Sequence, residues 1–375
     1  MNRSLSLRDF SNAAALLSIV AVFAVLEPKF VGARNLSLLM TELSITATLA
    51  MGMLLIILPG QIDLSAGSGV GLLGGVASVL VFHRHWPAPA ALLTALLLGV
   101  LLWLGMGTLI VRQRMPAFII TLGGLLVFKG LFWRVIENAT VPVVEGGGSN
   151  WYSLLTTYYL PPVMGWGLAA AIILVAGWIM RRSRAQRVAY GFPVEPGETA
   201  FLKWFITAQA VGLLVLITQQ FRGVPLPALI LGAVTLAVHV LTRHTVFGRQ
   251  LYAIGGNEEA ARVSGIPLQK VVISAFGLMG AIVAITGFMQ TAYAGSSTTT
   301  VGELMELDAI AACVIGGVSL KGGQGSVLGV LFGALIMACL LNGMTLLAVP
   351  PEAKFMARGA VLVLAVWMDA RLSRR

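Results

Sequence analysis

The sequence predicts an all-α integral membrane protein, a helical bundle that crosses the bilayer about twelve times. Three observations predict this fold class. Apolar residues make up 58% of the chain and charged residues only 11%, with a mean hydropathy of +0.90, which is far from the balance of soluble domains. The apolar residues gather in runs long enough to span a bilayer. The 43 glycines suit helices that approach one another closely in a membrane.

A single transmembrane domain is expected to cover residues 1–375. A spanning helix needs about 20 mostly apolar residues, and the first and last runs are somewhat short. The runs are 12–26, 41–58, 65–82, 88–111, 116–136, 162–180, 201–219, 225–242, 270–290, 306–320, 325–345 and 355–369.

Lys and Arg in the connecting loops predict the orientation. With the N-terminus inside, the inside loops hold the larger set of basic residues, namely Arg112, Arg114, Arg181, Arg182, Arg184, Arg187, Arg243, Arg249, Arg262, Arg371, Arg374 and Arg375. The outside loops hold Lys29, Arg34, Arg84 and Arg222. The positive-inside rule therefore places both termini in the cytoplasm. Because the net charge of +10 is scattered in this way, it does not indicate a nucleic-acid partner.

Residues 243–268 form a polar segment between two apolar runs. Asn257 can cap a helix, and Glu258 and Glu259 would then lie in its first turn, where carboxylates are favourable. Ala260, Ala261 and Arg262 continue the helix, and Gly265 can end it before Pro267. The local signals predict a short helix outside the membrane, although an ordinary solvated loop fits them equally well.

Asp63 is the most notable acid within the apolar sequence. It follows Pro59 and Gly60, which would interrupt a helix, and an acid at such a break marks a pathway or gate by default. Asp63 followed by Ser65 also fits the N-cap of the next helix, and both interpretations can hold at once. Glu306 and Asp308 gather at the head of a later span, where we expect helix capping first and a place on a pathway second.

Two glycine stripes recur with a spacing of four residues, Gly67, Gly71 and Gly75 in one and Gly325, Gly329 and Gly333 in the other. This spacing puts each set on one helix face, where neighbouring backbones can come close. We expect these faces mainly to pack helices together, and their smoothness could also let the helices slide past one another.

Several kinds of chemistry have no motif in the sequence. There is no phosphate-binding Gly-x-x-x-x-Gly-Lys-Ser/Thr, no metal-ligand spacing and no credible catalytic arrangement, so we expect neither an enzyme nor a cofactor in this chain. Cys313 and Cys339 both lie in apolar stretches, and we expect no disulfide.

About twelve spans also suit an ion-coupled secondary transporter, for which Asp63 and Glu42 would be the candidate coupling acids. A polytopic membrane enzyme would need clustered His or carboxylates.

Several sequence blocks resemble the permease subunits of bacterial ABC importers for ribose, arabinose, galactose and xylose. The blocks are Gly248-Arg249, 253–257, 259–262 and 264–266, then 306–312 leading into 316–323, and Asp63-Leu64-Ser65 with Gly67 and Ser68. They occur in the right order and span nearly the whole chain. Gln61 and Ala66 depart mildly from the usual pattern of the family.

The resemblance implies a multi-pass protein of the bacterial inner membrane with a ten-helix core. The pair of spans in 162–219 looks like an insertion, as in the xylose branch, so D-xylose is the expected sugar. The family also implies a coupling helix that docks in a cytoplasmic ATPase, which would bind ATP and Mg²⁺, as well as a periplasmic sugar-binding protein and a second permease copy. The implied coupling residues are Gly255, Gly256, Asn257, Glu258, Glu259, Ala260, Ala261, Arg262, Gly265 and Ile266.

Overall fold

The computed structural model describes residues 7–146 and 148–372. Within them the chain forms fifteen α-helices and one two-stranded antiparallel ribbon of β1 (Val141–Pro142) and β2 (Ser296–Ser297). The helices are α1 (Leu7–Leu26), α2 (Ala33–Ile57), α3 (Ala66–Phe82), α4 (Ala88–Arg112), α5 (Ala117–Val135), α6 (Trp151–Thr157), α7 (Pro162–Ala189), α8 (Gly197–Gln219), α9 (Leu226–His244), α10 (Val246–Gly256), α11 (Glu258–Val263), α12 (Leu268–Ala294), α13 (Met305–Ile315), α14 (Val327–Leu346) and α15 (Pro351–Leu372).

The predicted all-α membrane fold is confirmed. Each of the twelve apolar runs contains a helix, and eight helices of the described part are long and apolar enough to cross a membrane. The run 306–320 differs from the prediction, because α13 ends at Ile315 after 11 residues. A helix of that length rises about 16 Å, roughly half of the hydrocarbon thickness. Gly316 and Gly317 follow, and Gly317 has a φ of +89°, which a continuing helix could not accept.

The core is built around α2 and α12. Along the most apolar 18 residues of each helix, 78% of the residues of α2 and 72% of those of α12 are buried. Helix α12 packs against α2, α3 and α4. Small residues allow this packing: a methyl group added to Gly280 on α12 would lie 2.8 Å from the Cβ of Trp103 on α4. By contrast α5, α7, α8 and α9 are at most 17% buried. They form the periphery, where apolar side chains face outward.

Several hydrogen bonds join loops that the sequence predicts to lie on the same side of the membrane. On the predicted outer side, Val143 N–H donates to Gly295 O at 3.2 Å, and Leu160 N–H donates to Val224 O at 2.9 Å. On the predicted cytoplasmic side, Gly323 N–H donates to Leu58 O at 2.9 Å. The placement of the two termini stays a prediction, because Arg3, Arg374 and Arg375, and the side chain of Arg371, lie outside the described part of the structure.

Candidate functional site

The polar segment 243–268 contains the short helix that its sequence predicts. The Oδ1 of Asn257 accepts a hydrogen bond from Ala260 N–H at 2.9 Å and so caps α11. Arg262 and Glu258 form an exposed ion pair of 2.8 Å one turn apart, and Gly265 ends the helix with a φ of +79°. The preceding helix α10 begins at its own cap, Thr245. The result is two short helices in series between α9 and α12.

Three backbone segments meet where α10 ends, at a junction formed by Gly255, Leu58 and Gly322-Gly323. A methyl group on Gly255 would overlap the Leu58 carbonyl oxygen and the Gly323 nitrogen and would lie 2.9 Å from the Gly322 carbonyl carbon. Tyr252, also on α10, donates from its hydroxyl to Gly325 O at 2.9 Å. Because only glycine leaves room for this approach, α10 is held directly against the end of α2 and the loop between α13 and α14.

A groove of about 770 Å³ opens beside α11 on the same side of the molecule. Its walls come from α11, the α4–α5 turn and the start of α12, and they carry Arg114, Arg262 and Lys270. Gln61, from the interruption between α2 and α3, also lines the groove. The short helix α11 therefore lies next to the segment that leads to Asp63.

The break between α2 and α3 is a hydrogen-bonded turn around a buried Asp63. The Oδ1 of Asp63 accepts from Ser65 N–H at 2.8 Å and from the Ser65 hydroxyl at 2.6 Å, and its Oδ2 accepts from the Trp103 indole at 2.7 Å. Thr121 on α5 donates to Ile62 O at 3.1 Å. Side chains thereby satisfy irregular backbone that lies among transmembrane helices.

The N-cap interpretation of Asp63 is wrong. Ser65 occupies the N-cap position of α3 and makes no side-chain capping bond. Asp63 binds the backbone and hydroxyl of Ser65 instead, so it shapes the turn before the helix. The physical reason is the indole of Trp103, which takes the second carboxylate oxygen and directs the side chain toward α4.

Glu306 lies against the first turn of α3. Its carboxylate occupies the space that a side chain on Gly67 would take. A cavity of about 150 Å³ lies beside it, lined by Ser68 and Lys129 among others. Glu303 and Lys129 pair across this cavity at 3.9 Å. Asp63, Ser65 and Glu306 thus lie at the start of α3, and Glu306 also lines this small cavity.

Asp308 does not join that cluster. Its Oδ1 lies 3.2 Å from the Nε of Arg358 on α15, and both side chains are largely buried. The two atoms are close enough for an ion pair, but their geometry does not make a hydrogen bond. The pair fixes α13 against α15, so Asp308 has a structural contact separate from the cluster of Asp63, Ser65 and Glu306.

The two glycine stripes pack against different partners, one against an aromatic ring and the other against the backbone of a neighbouring helix. Gly71 and Gly75 on α3 pack against the ring of Phe132, since added methyl groups would lie 2.8 Å from its carbons. Gly329 and Gly333 on α14 face the backbone of α13 and allow the two helices to touch. The placement of Gly325 on that helix face is wrong, because α14 begins at Val327. Gly325 instead accepts the bond from Tyr252 described above.

Sequence reasoning missed the residues that hold these groups in place. Trp103 lies in an apolar helix and Arg358 near the start of α15, and in each case the residue type is the signal that the sequence gives. A further network joins α2, α12 and α14: Asn342 donates to Glu42 at 3.2 Å, and Tyr293 donates to Glu42 at 3.0 Å. Asn35 donates to Asn342 at 2.8 Å. Asn342 is thus interhelical, and Glu42 is engaged by two donors.

Comparison with known proteins agrees with the sequence blocks. Residues 35–366 match the family of branched-chain amino acid transport system permease components. The chain is 39% identical to the xylose transport system permease protein XylH of Escherichia coli, over all of this chain and 94% of that protein. It is 37% identical to XylH of Haemophilus influenzae, over 98% of this chain and 97% of that one. Identity to the ribose import permease protein RbsC of Escherichia coli is 33%, over 95% and 91%. No solved structure matches.

Proposed function

The chain belongs to the family of branched-chain amino acid transport system permease components, and we propose that it carries a monosaccharide, D-xylose, across the bacterial inner membrane. It is the membrane-spanning permease subunit of an ABC importer and not an enzyme. The observation that carries this function is the match along the whole chain to sugar-transport permeases. Hydrolysis of ATP belongs to a partner ATPase.

The choice of xylose rests on two supports. The relatives named for xylose transport share 37–39% identity with this chain, and the relative named for ribose import shares 33%. The helices α7 and α8 occupy residues 162–219, the range that resembles the insertion of the xylose branch. Specificity in such importers is expected to lie mainly in the binding protein, which agrees with the small size of the cavity beside Glu306.

The partners follow from the same proposal. Family membership implies a cytoplasmic ABC ATPase and a periplasmic binding protein in general. We propose that the ATPase holds ATP and Mg²⁺ and receives α11 in a surface groove, with Asn257, Glu259 and Arg262 exposed toward it. We propose two permease copies around one path. The poorly buried helix α5 supports this, because its Lys129–Glu303 pair would be costly if it faced lipid.

Coupling would pass through the glycine junction. ATP binding moves α11, and α10 follows because the two helices adjoin at Gly256 and Asn257. The contact of Gly255 with Leu58 and with Gly322-Gly323 then displaces the end of α2 and the loop before α14. These segments adjoin α3 and the half-length helix α13, so the movement reaches the gate.

The proposed gate is the cluster of Asp63, Ser65 and Glu306 at the first turn of α3. Carboxylates and hydroxyls are good partners for sugar hydroxyls, and Glu306 lines the small cavity beside α3. Asp308 would act in the gate only by fixing α13 through Arg358. The alternative is an ion-coupled secondary sugar transporter, in which Asp63 or Glu42 would bind the ion, but the exposed, capped α11 has no purpose in that mechanism.

A reconstitution experiment tests the function. Uptake of labelled xylose is measured in proteoliposomes with this chain, and the ATPase, the binding protein and ATP are each omitted in turn. We expect uptake only when all are present. Uptake driven by an ion gradient in the chain alone would establish the secondary transporter. Binding-protein-stimulated ATP hydrolysis with another sugar and not with xylose would correct the substrate.

Two substitutions test the coupling role of α11. Glu259→Arg reverses a charge in its first turn, and Gly265→Leu strains a residue with φ of +79° that has open space around it. Such strain costs about 1–3 kcal/mol locally. We expect normal membrane insertion but ATP hydrolysis that no longer drives uptake, whereas Glu259→Gln retains uptake. Unchanged uptake in both variants would contradict the role of α11.

A further inference from the structure

A cavity separates α7 and α8 near the ends that their connecting loop joins. It has a volume of about 650 Å³, within the usual size range of small-molecule sites. Its walls are mostly apolar and include Ile173, Leu174 and Trp178 on α7, with Phe201 and Trp204 on α8. The indole of Trp204 donates to Ile173 O at 3.1 Å. This bond holds the two helices together at one wall of the cavity and leaves the remaining space open.

Two arginines stand at the mouth of this cavity. Arg181 and Arg184 both line it, and the guanidinium of Arg184 reaches across to the start of α8, 3.8 Å from where a Cβ on Gly197 would lie. Within residues 7–146 and 148–372 the ion pairs of the structure include neither arginine. The nearby Glu195 is bound instead by Lys203. The mouth therefore carries two positive charges that form no ion pair with a carboxylate of the described residues.

The length of α7 puts these arginines at the membrane surface. The apolar stretch 162–180 rises about 28 Å, close to the hydrocarbon thickness of about 30 Å, and the basic residues begin immediately after it. Trp178 is 58% exposed, and Arg182 stacks over its ring at 5.1 Å, an arrangement typical of the interface. The basic residues predict that this is the cytoplasmic leaflet, whose anionic lipids attract Lys and Arg.

We propose that the α7–α8 cavity binds one anionic phospholipid of the cytoplasmic leaflet. The phosphate of the lipid lies between Arg181 and Arg184, and its acyl chains fill the apolar space between Trp178, Phe201 and Trp204. The charge of the mouth and the apolar walls together select this occupant. A soluble anion would leave the apolar space unfilled, and a zwitterionic lipid would bring a further positive charge close to the two arginines.

Native mass spectrometry of the detergent-purified chain tests the proposal. Phosphatidylglycerol and phosphatidylcholine are added at equal concentrations, and the retained adducts are counted. We expect about a tenfold preference for phosphatidylglycerol. The variant R181Q/R184Q should lower this preference to about twofold or less. The variant R182Q/R187Q removes the same charge from residues that do not line the cavity and should keep the preference, as should R181K/R184K.

Three outcomes would overturn the proposal. Equal retention of the two lipids by the native chain would remove the charge selection. An equal loss in R181Q/R184Q and R182Q/R187Q would show diffuse attraction by the whole basic segment. Displacement of the lipid by millimolar inorganic phosphate would show that the arginines bind a free anion and that the apolar cavity contributes nothing.

Discussion

Gly255→Ala is the sharpest test of how movement of α11 reaches the membrane, because its neighbour provides a matched control. A methyl group on Gly255 would overlap backbone atoms of Leu58 and Gly323, and it would lie 2.9 Å from the carbonyl carbon of Gly322. Carbon atoms prefer separations of about 3.5–4.0 Å. A methyl group on Gly256 would meet nothing within 4 Å. The two substitutions are chemically identical, and only one invades the junction.

The expected magnitudes follow from this geometry. Overpacking costs about 1–3 kcal/mol, and replacing glycine by alanine in a helix gains about 0.5–1 kcal/mol. Gly255→Ala should therefore lose roughly 0–2.5 kcal/mol, while Gly256→Ala should be neutral or slightly stabilising. Backbone cannot move aside as a flexible side chain does, so the strain must separate α10 from the end of α2. We expect folding to survive and the contact to open.

The assay is xylose uptake together with ATP hydrolysis in the reconstituted complex, with thermal unfolding in detergent as the measure of stability. Gly255→Ala should reduce uptake about tenfold or more, which corresponds to about 1.4 kcal/mol, while ATP hydrolysis persists. Gly256→Ala should transport like the native chain. If the two variants transport equally, within about twofold, at unchanged stability, the junction does not transmit the movement and the reasoning fails.

Three other substitutions test contacts around the proposed gate. Trp103→Phe removes a donor to buried Asp63, so the free energy of unfolding should fall by about 1.5–3 kcal/mol; no change in thermal unfolding would contradict the contact. Arg358→Met leaves Asp308 buried without its cation and should cost about 3–5 kcal/mol, most of which Asp308→Asn in the same chain should restore. Gly329→Ala forces α14 away from α13 and should destabilise by about 1–3 kcal/mol, seen as a lower unfolding temperature.

Local sequence was a good guide wherever the structure depends on residues close along the chain. The cap at Asn257 and the left-handed Gly265 define α11, and both are visible in a few letters of sequence. The apolar runs located the spanning helices because burial in a bilayer requires a minimum length of apolar sequence. The same reasoning failed at Asp63 and Gly325. Each is engaged by a residue far along the chain, Trp103 in one case and Tyr252 in the other.

The sequence by itself determined the membrane fold, the predicted sidedness, the short helix α11 and, through its blocks, the family. Periodicity, hydropathy and capping are local properties, and they need no knowledge of distant contacts. Only the tertiary structure decided that α13 is a half-length helix, that Glu306 meets the start of α3, and that Gly255 touches Leu58 and Gly323. These are approaches between segments that can be hundreds of residues apart, and packing of the whole bundle fixes them.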